Sequence, residues 1–586
     1  MLREKLKITS KGVFLIKHGK RRRVAEPIHY EGIGARVADG TKLAEISFID
    51  LDGKRRSEMF ELSYFQRRNR HKIIDRLADK GYQWPTQNGL DARILQALTS
   101  AIPARRFQVV GAPGWYGTTY VTSDREYPPK KQRARLFLID EQTGASVAKL
   151  QFGPGSLKGW KKNVGKVAVK SSLLRLAIAA AFAAPVLRLL KVDSFGLNLY
   201  GASSSGKTTA LIAAASVSGL LSDGGLPGWA DSDAAIEQLF VGHRDGLLPL
   251  DETGDGGSKG SLAKRARAFA FGTSRNRPRN LDKTYQRGKL TTRDWRSIVL
   301  ISSERALGSI AIEEGTPRLP GEEVRLIDVL ATEPEWQGIF DRPLPRKLGR
   351  SASTQGARVI DKLRRDSISH QGHPLDAFLR ELTRDPHALS TMKSYLANFE
   401  QRIPATKQEN TDHRISRNFA AIYAAAALAI DYRMLPWSKK QTWKDIQKFR
   451  TGAVSASRRR GSLLSSKNTL ASAAADLKNW LEQLNLLKIR KGKRATAKGA
   501  RRREQADGFD LGQEIYIKPH CLKSFDATKK QILIQHDVWR AERQDASTIA
   551  RKVSGVAGKR RYVVIDTRQL AKTDARPSRR KTQKTW

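Results

Sequence analysis

The sequence predicts a mixed α/β protein with a parallel-sheet core near its middle. A β-rich segment precedes that core, and a helical segment and a small basic segment follow it. Three observations carry this. An apolar run from Ser194 to Tyr200 enters the glycine-rich turn "GASSSG" and leaves in the alanine-rich "KTTALIAAASV", the order strand, loop, helix. Two later apolar runs, "GLLPLDE" and "RSIVLISSER", follow in sequence, each ending in polar residues. Beyond about residue 335 helical periodicity dominates, including an alanine-rich stretch around Tyr423.

In chain order, 1–130 reads as a β-rich domain, because "GVFLIKHG", "ISFIDLDGK" and "FQVVGAPGWYGTTYVTS" are short apolar stretches broken by turn residues. "RHKIIDRLADKGYQWP" supplies one amphipathic helix among them. The core takes 131–334, opening with a hairpin at "LFLIDEQTGASVAKLQF" and a helical entrance through "GSLKGWKKNVGKVAVKSSLLRLAIAAAFAAPVLRLL". A helical lid takes 335–452. The segment 453–570 gives a helix, a very basic loop and a strand, the elements of a winged helix, and 571–586 is a basic disordered tail.

The charge is the anomaly in this composition. With 107 Lys+Arg against 58 Asp+Glu among 586 residues the formal net charge is +49, and self-repulsion of that size is offset best by a polyanion. DNA, as a single strand or a fork, is the expected partner. A membrane is not: "LAIAAAFAAPVL" and "FAAIYAAAALAI" fall short of the roughly 20 apolar residues of a spanning helix and read as buried helices. The start "MLREKLKITSKG" lacks the apolar centre of a signal peptide, and the lone Cys521 excludes an intramolecular disulfide. His520 and Cys521 are adjacent and match no zinc spacing. A cytoplasmic address is expected.

Gly201 to Thr208 satisfies the phosphate-loop pattern GxxxxGK[ST], with a strand before and a helix after. In that pattern the backbone N–H groups of Gly201, Ala202, Ser203, Ser204, Ser205 and Gly206 converge on phosphates, aided by the helix dipole. Lys207 reaches the β/γ oxygens and the Thr208 hydroxyl meets Mg²⁺. Hydrolysis also needs carboxylates at the tip of a neighbouring strand. "GLLPLDE" supplies Asp251 for the magnesium, through water, and Glu252 to orient and deprotonate the attacking water. Pro249 removes a ladder donor from that strand and calls for a bulge. "RSIVLISSER" is the third strand, with Ser302 or Ser303 at its tip as the γ-phosphate sensor.

Between the second and third strands, "NRPRNLDKTYQRGKLTTRDW" forms two arms around Gln286-Arg287-Gly288, with Lys283, Arg287 and Lys289 near the tip. These are candidate DNA contacts, the alternative being a solvated surface hairpin. A trans-acting arginine is sought in "GTPRLPGEEVRLIDV", where Arg325 is favoured over Arg318, though either could pair with Glu322 or Glu323. Arg414 or Arg417, in the first turn of a helix, could reach the nucleotide of their own chain.

The ordered set "GWYGTTYV", "GSLKGW", "SFGLNLYGASSSGKTTAL", "PGWADSD", "LLPLDE", "LISSER", "GEEVRLID" and "RNFAAIYAAAALA" resembles a mobile-element family formerly catalogued as a domain of unknown function. Its members on cassette elements look like self-loading helicases of the minichromosome-maintenance type. The resemblance covers roughly residues 10 to 440. It implies an AAA+-like ATPase core, a hexamer that translocates on DNA, and a nucleotide at each subunit interface. Carried across, it places ATP on Gly201 to Thr209, the catalytic acidic pair on Asp251 and Glu252, the sensor on Ser302 or Ser303 and the trans arginine on Arg325. Pro249 and the "ISSER" sequence, where the family more often has glycine before the glutamate, depart from its pattern.

An ATP-dependent DNA helicase or translocase that replicates a mobile element accounts for both the site and the charge. An ATP-switched DNA-binding or origin-assembly factor would keep the loop without needing Glu252. A signalling ATPase leaves the charge unexplained.

Overall fold

The computed structural model describes residues 4–100, 102–123, 125–130, 137–139, 150–221, 226–228, 239–251, 266–267, 269–270, 272, 295–313, 318–333, 336–344, 352–403, 410–465, 467–489, 503–525, 527–540, 548–553, 556 and 559–572.

Lys5–Thr9, Gly12–Lys17 and Lys20–Ala25 form a three-stranded antiparallel sheet. A five-stranded sheet follows, ordered Phe137–Ile139, Arg106–Val110, Ile28–Arg36, Lys42–Ile49, Arg55–Glu61. Phe137–Ile139 pairs in parallel with Arg106–Val110 as an edge strand of this N-terminal sheet; most of the hairpin expected at the head of the core lies outside the described residues. Two helices pack beneath. Arg70–Asp79 is the expected one; Leu90–Thr99 is additional, although Leu90, Ile94, Leu95 and Leu98 place an apolar stripe on one face and are all buried.

The core sheet is wholly parallel in its described part. Its order is Leu247–Leu250, Ile298–Ser303, Phe195–Tyr200, Leu326–Leu330, which inserts the serine-tipped strand between the acidic strand and the strand that feeds the glycine-rich loop. Pro249 sits in that ladder with no register shift, so no bulge is needed. The reason lies in alternation: the Asp251 N–H bonds outward to the Pro227 carbonyl, and Pro249, two residues earlier, turns its nitrogen to the same outer side. The missing donor costs nothing on the Ile298–Ser303 side.

One helix lies at the centre of the largest apolar cluster. All twelve residues of Ser172–Ala183 are buried, against the loop helix Lys207–Val217 and the alanine-rich Asn410–Asp431. Continued through Leu190 this run spans 19 residues, longer than the sequence suggested and enough to cross a membrane by length and composition, but 89% of it is buried inside the protein. Of its two charges, Arg175 is held by Asp445 at 3.0 Å and donates to the Val169 carbonyl, and Arg188 pairs with Asp245 at 2.9 Å. The helical segment continues as Ala352–Ser369, His373–Arg384, Ala388–Gln401 and, after Asn410–Asp431, as Lys439–Ser465, which overruns residue 452.

Two motifs tie these parts together. Trp115 of "GWYG" donates its backbone N–H to the Asp245 carboxylate and its indole N–H to the Pro185 carbonyl, while the Tyr120 hydroxyl bonds to the Asp245 carbonyl oxygen. The "GPGSLKGW" strip wraps the end of Ala352–Ser369. The Ser156 N–H donates to His370 Nδ1 at 3.0 Å, and Nε2 lies 3.3 Å from the Asn163 side-chain amide. A Cβ on Gly155 would stand 1.8 Å from that ring and one on Gly159 2.2 Å, which is why only glycine fits.

The C-terminal part departs from the winged-helix expectation. Instead of helices with one small wing, a six-stranded mixed sheet forms from Leu486–Lys488, Gly508–Asp510, Glu514–Ile517, Lys559–Asp566, Trp539–Arg540 and Ile549–Lys552. Alternation in "RRYVVID" explains it: Val563 and Ile565 pack with Trp480 and Trp539 on one side, Tyr562 and Val564 with Phe509 and Tyr516 on the other.

Candidate functional site

Gly201 leaves the core strand at φ +156°, Ser204 sits at +57° and Gly206 at +103°, so the chain between strand and helix is a tight loop with left-handed residues. Gly206 is also close-packed: a Cβ there would lie 3.0 Å from Ile360 and 3.3 Å from Ile339. The helix Lys207–Val217 starts directly behind the loop, which aims its unsatisfied N–H groups and its positive end at the cleft.

That cleft is open and has a volume of about 840 Å³. Ser203 to Thr209 line one wall, with Asp251, Ser302 and Ser303 at the strand tips. Lys207 folds back so that its ammonium group donates to the carbonyls of Gly201 (2.9 Å) and Ala202 (2.7 Å). Thr208 Oγ1 donates to Asp251 Oδ1 at 3.2 Å, and the Ser302 hydroxyl donates to the same oxygen. One carboxylate thus draws together the loop helix, the acidic strand and the serine strand, and the insertion of the serine strand makes that meeting possible.

The two serines diverge, as neighbours on a strand must. Ser302 meets Asp251; Ser303 turns away from it, its hydroxyl 2.8 Å from both Asn198 Oδ1 and the Arg305 carbonyl oxygen, to either of which it can donate. The serine whose hydroxyl joins the Thr208–Asp251 pair is therefore Ser302, while both serines line the cleft.

Behind Ser303 lies a buried polar chain. Asn198 Nδ2 donates to Asp328 Oδ1 at 2.9 Å, the backbone N–H groups of Leu307 and Gly308 donate to the Asp328 carboxylate at 3.0 Å, and Arg318 reaches it at 3.4 Å. Arg318 also donates to the carbonyls of Glu322 and Leu326. It is committed inside the fold, as are the glutamates expected as its partners: Glu322 is held by Arg267 and Glu323 by Ser457.

Arg325 ends the short helix Pro320–Arg325 and donates to the Gly321 carbonyl at 3.1 Å. Partial burial lowers its pKa, as does the nearby Arg414 charge, while Asp193 and Glu322 oppose the shift. Leu326 to Leu330 register with Gly196 to Tyr200, so Arg325 stands at the opposite end of the sheet from the loop, roughly 20 Å away along the strands. Arg414 and Arg417 do not line the cleft: Arg414 lies by Arg325, and Arg417 pairs with Glu400 at 3.6 Å. Arginines reach the cleft from elsewhere, Arg305 just past the serine strand and Arg364, with Asp361, on the helix Ala352–Ser369. Sequence reasoning missed these. Arg305 stood in "ISSER"; Arg364 had no local signal. Glu252 and the hairpin residues Lys283, Arg287 and Lys289 lie outside the described residues.

Among the described residues, one group with metal-ligand chemistry exists elsewhere. Asp507 approaches His520 and Cys521 at 3.9 and 3.8 Å, but burial and the Asp507 charge raise the thiol pKa, which opposes thiolate ligation.

The chain is thus a mixed α/β protein whose central parallel sheet bears a glycine-rich loop and a carboxylate facing one cleft. Its residues 7–286 match a family described as "Domain of unknown function (DUF927)". A solved structure titled "SCCmec type IV Cch - active helicase" has the same fold, with a TM-score of 0.59 and 17% sequence identity over 98% of this chain and 100% of that chain. No curated protein matches.

Proposed function

We propose that this protein is an ATP-dependent DNA helicase or translocase that assembles as a homo-oligomeric ring, a hexamer, and serves replication of a mobile element. The observation that carries the reading is the shared carboxylate: Asp251 faces Thr208 and Ser302 at the mouth of a cleft walled by a glycine-rich loop. The resemblance to AAA+-like, minichromosome-maintenance-type helicases and the fold shared with a helicase structure support it. The net charge of +49 gives the DNA partner its reason. The 89% burial of the long apolar helical run Ser172–Leu190 fits a core helix, and a cytoplasmic location is part of the proposal.

The residues fit ATP and Mg²⁺. The glycine-rich loop has the open backbone that phosphates require, and the hydroxyl of Thr208 beside the carboxylate of Asp251 is an all-oxygen donor set suited to a hard cation. When bound, the metal neutralises charge on the β- and γ-phosphates. Lys207 exchanges the Gly201 and Ala202 carbonyls for phosphate oxygens. Ser302 fixes Asp251, Glu252 takes a proton from the attacking water, and Arg305 and Arg364 add positive charge at the rim.

These assignments separate the two serines experimentally. Ser302→Ala should lower ATP turnover by roughly 10- to 100-fold, because a hydrogen bond to a charged group contributes about 1.5–3 kcal/mol. Ser303→Ala should act chiefly on stability, by about 1 kcal/mol. Steady-state hydrolysis and denaturation of both variants check this, and equal kinetic losses would reject the distinction. For the motor itself, strand displacement from a labelled fork is measured beside hydrolysis. Lys283→Ala/Lys289→Ala should retain hydrolysis and lose displacement, while Glu252→Gln loses both. Vigorous hydrolysis with no displacement on any fork would favour the ATP-switched assembly factor instead.

A further inference from the structure

The three-stranded sheet at the start of the chain has two unlike faces. Val13 and Leu15 point into the N-terminal core with Leu6 and Ile8 beside them. On the other face the register builds two rows across the sheet. Lys5, Ile16 and Arg21 are directly paired in one, and Lys7, Phe14 and Arg23 in the next. Each row is an apolar side chain flanked by a cation on both edge strands. The four cations are exposed and the two apolar residues half-buried. The Arg21 guanidinium lies over the Phe14 ring, 3.5 Å from its centroid. Of the four, Arg23 pairs with Glu26; Lys5, Lys7 and Arg21 make no ion pair among the described residues.

We infer that this face is a binding platform for single-stranded DNA. Sequence-tolerant recognition of a single strand combines cations that follow the phosphates with a flat group on which a base can stack, and an arginine plane resting on an aromatic ring provides that group. Same-face residues stand about 6.8 Å apart along a strand, so the two rows offer cations on both sides of a shallow apolar track. Duplex DNA fits this face less well, because its bases are stacked within the helix and leave the Arg21–Phe14 surface unused. A purely protective role, in which edge cations discourage sheet-to-sheet association, would require charge but no aromatic centre.

This platform is separate from the nucleotide cleft and stands whether or not the protein unwinds DNA. The test uses the full-length chain without nucleotide, a fluorescein-labelled oligothymidylate for affinity, and the same oligomer carrying 5-iodouracil for photocross-linking. Wild type should cross-link within residues 12–25. Phe14→Ala/Arg21→Ala should lose that cross-link and bind about tenfold more weakly, since stacking of one base contributes on the order of a fivefold to hundredfold gain. Lys5→Gln/Lys7→Gln should lower the slope of log affinity against log salt by about 1.4, with about 0.7 for each phosphate that a lysine no longer neutralises. Lys207→Ala should leave all three readouts unchanged. A cross-link map without residues 12–25, an unaltered salt slope, or tighter binding of oligouridylate or duplex would each overturn the platform. Failure of strand displacement alone would count only against the helicase reading.

Discussion

Replacing Arg325 by alanine should reduce ATP turnover by about 10³- to 10⁵-fold, the range by which an arginine supplied in trans accelerates phosphoryl transfer. Nucleotide binding to the loop of the same chain should survive. The geometry makes the expectation specific. Arg325 precedes the strand Leu326–Leu330, whose far end lies beside the glycine-rich loop, so the arginine cannot reach its own cleft but can project from the sheet's opposite end. Partial burial and the Arg414 charge lower its pKa, and a guanidinium keeps its charge in proteins. Mixing Arg325→Ala chains with Lys207→Ala chains should restore a fraction of the activity, because some interfaces then pair an intact loop with an intact arginine. No recovery at any mixing ratio, alongside normal assembly, would remove Arg325 from the site.

Asp328→Asn should destabilise the central domain by about 3–5 kcal/mol, the cost of leaving a buried charge without its partner. Arg318 would keep its backbone acceptors but lose the compensating carboxylate. The introduced amide keeps one acceptor oxygen, so one of the two N–H groups, of Leu307 or of Gly308, would also meet a donor where each now finds its own carboxylate oxygen. Urea unfolding followed by a probe in this domain gives the measurement. The double variant Arg318→Met/Asp328→Leu should recover much of the loss, because removing both charges removes the imbalance. A shift below about 1 kcal/mol for Asp328→Asn would mean that water or a rearranged Arg318 replaces the carboxylate.

Much of the core was legible in the sequence because its signals are local. A strand, a glycine-rich turn and a helix in succession need no distant partner to be recognised, and the polar tips of "GLLPLDE" and "RSIVLISSER" are set by where buried strands end. Other features depended on contacts between segments far apart. Which of Ser302 and Ser303 faces Asp251 is decided by the register of Ile298–Ser303 against Leu247–Leu250, and the two residues are alike in sequence. Pro249 looked disruptive because its nitrogen could not be assigned to the outer side without the Asp251 to Pro227 hydrogen bond. Arg364 enters the cleft from a helix some 150 positions beyond the loop, on a surface whose charge pattern resembles any solvated helix. In the C-terminal part the short strands pair across long intervening sequence, and a helix beside a basic loop was too little to reveal six strands.

The clasp of Gly155 and Gly159 around His370 makes the C-terminal end of the Ala352–Ser369 helix a fulcrum. Arg364 lies six residues before it, a lever arm of about 9 Å. A tilt of about ten degrees about that point would carry the Arg364 backbone through about 1.6 Å, the difference between a formed and a broken hydrogen bond. Small angular changes at the far end of this rod therefore suffice to engage or withdraw a positive charge at the cleft, with no unfolding required.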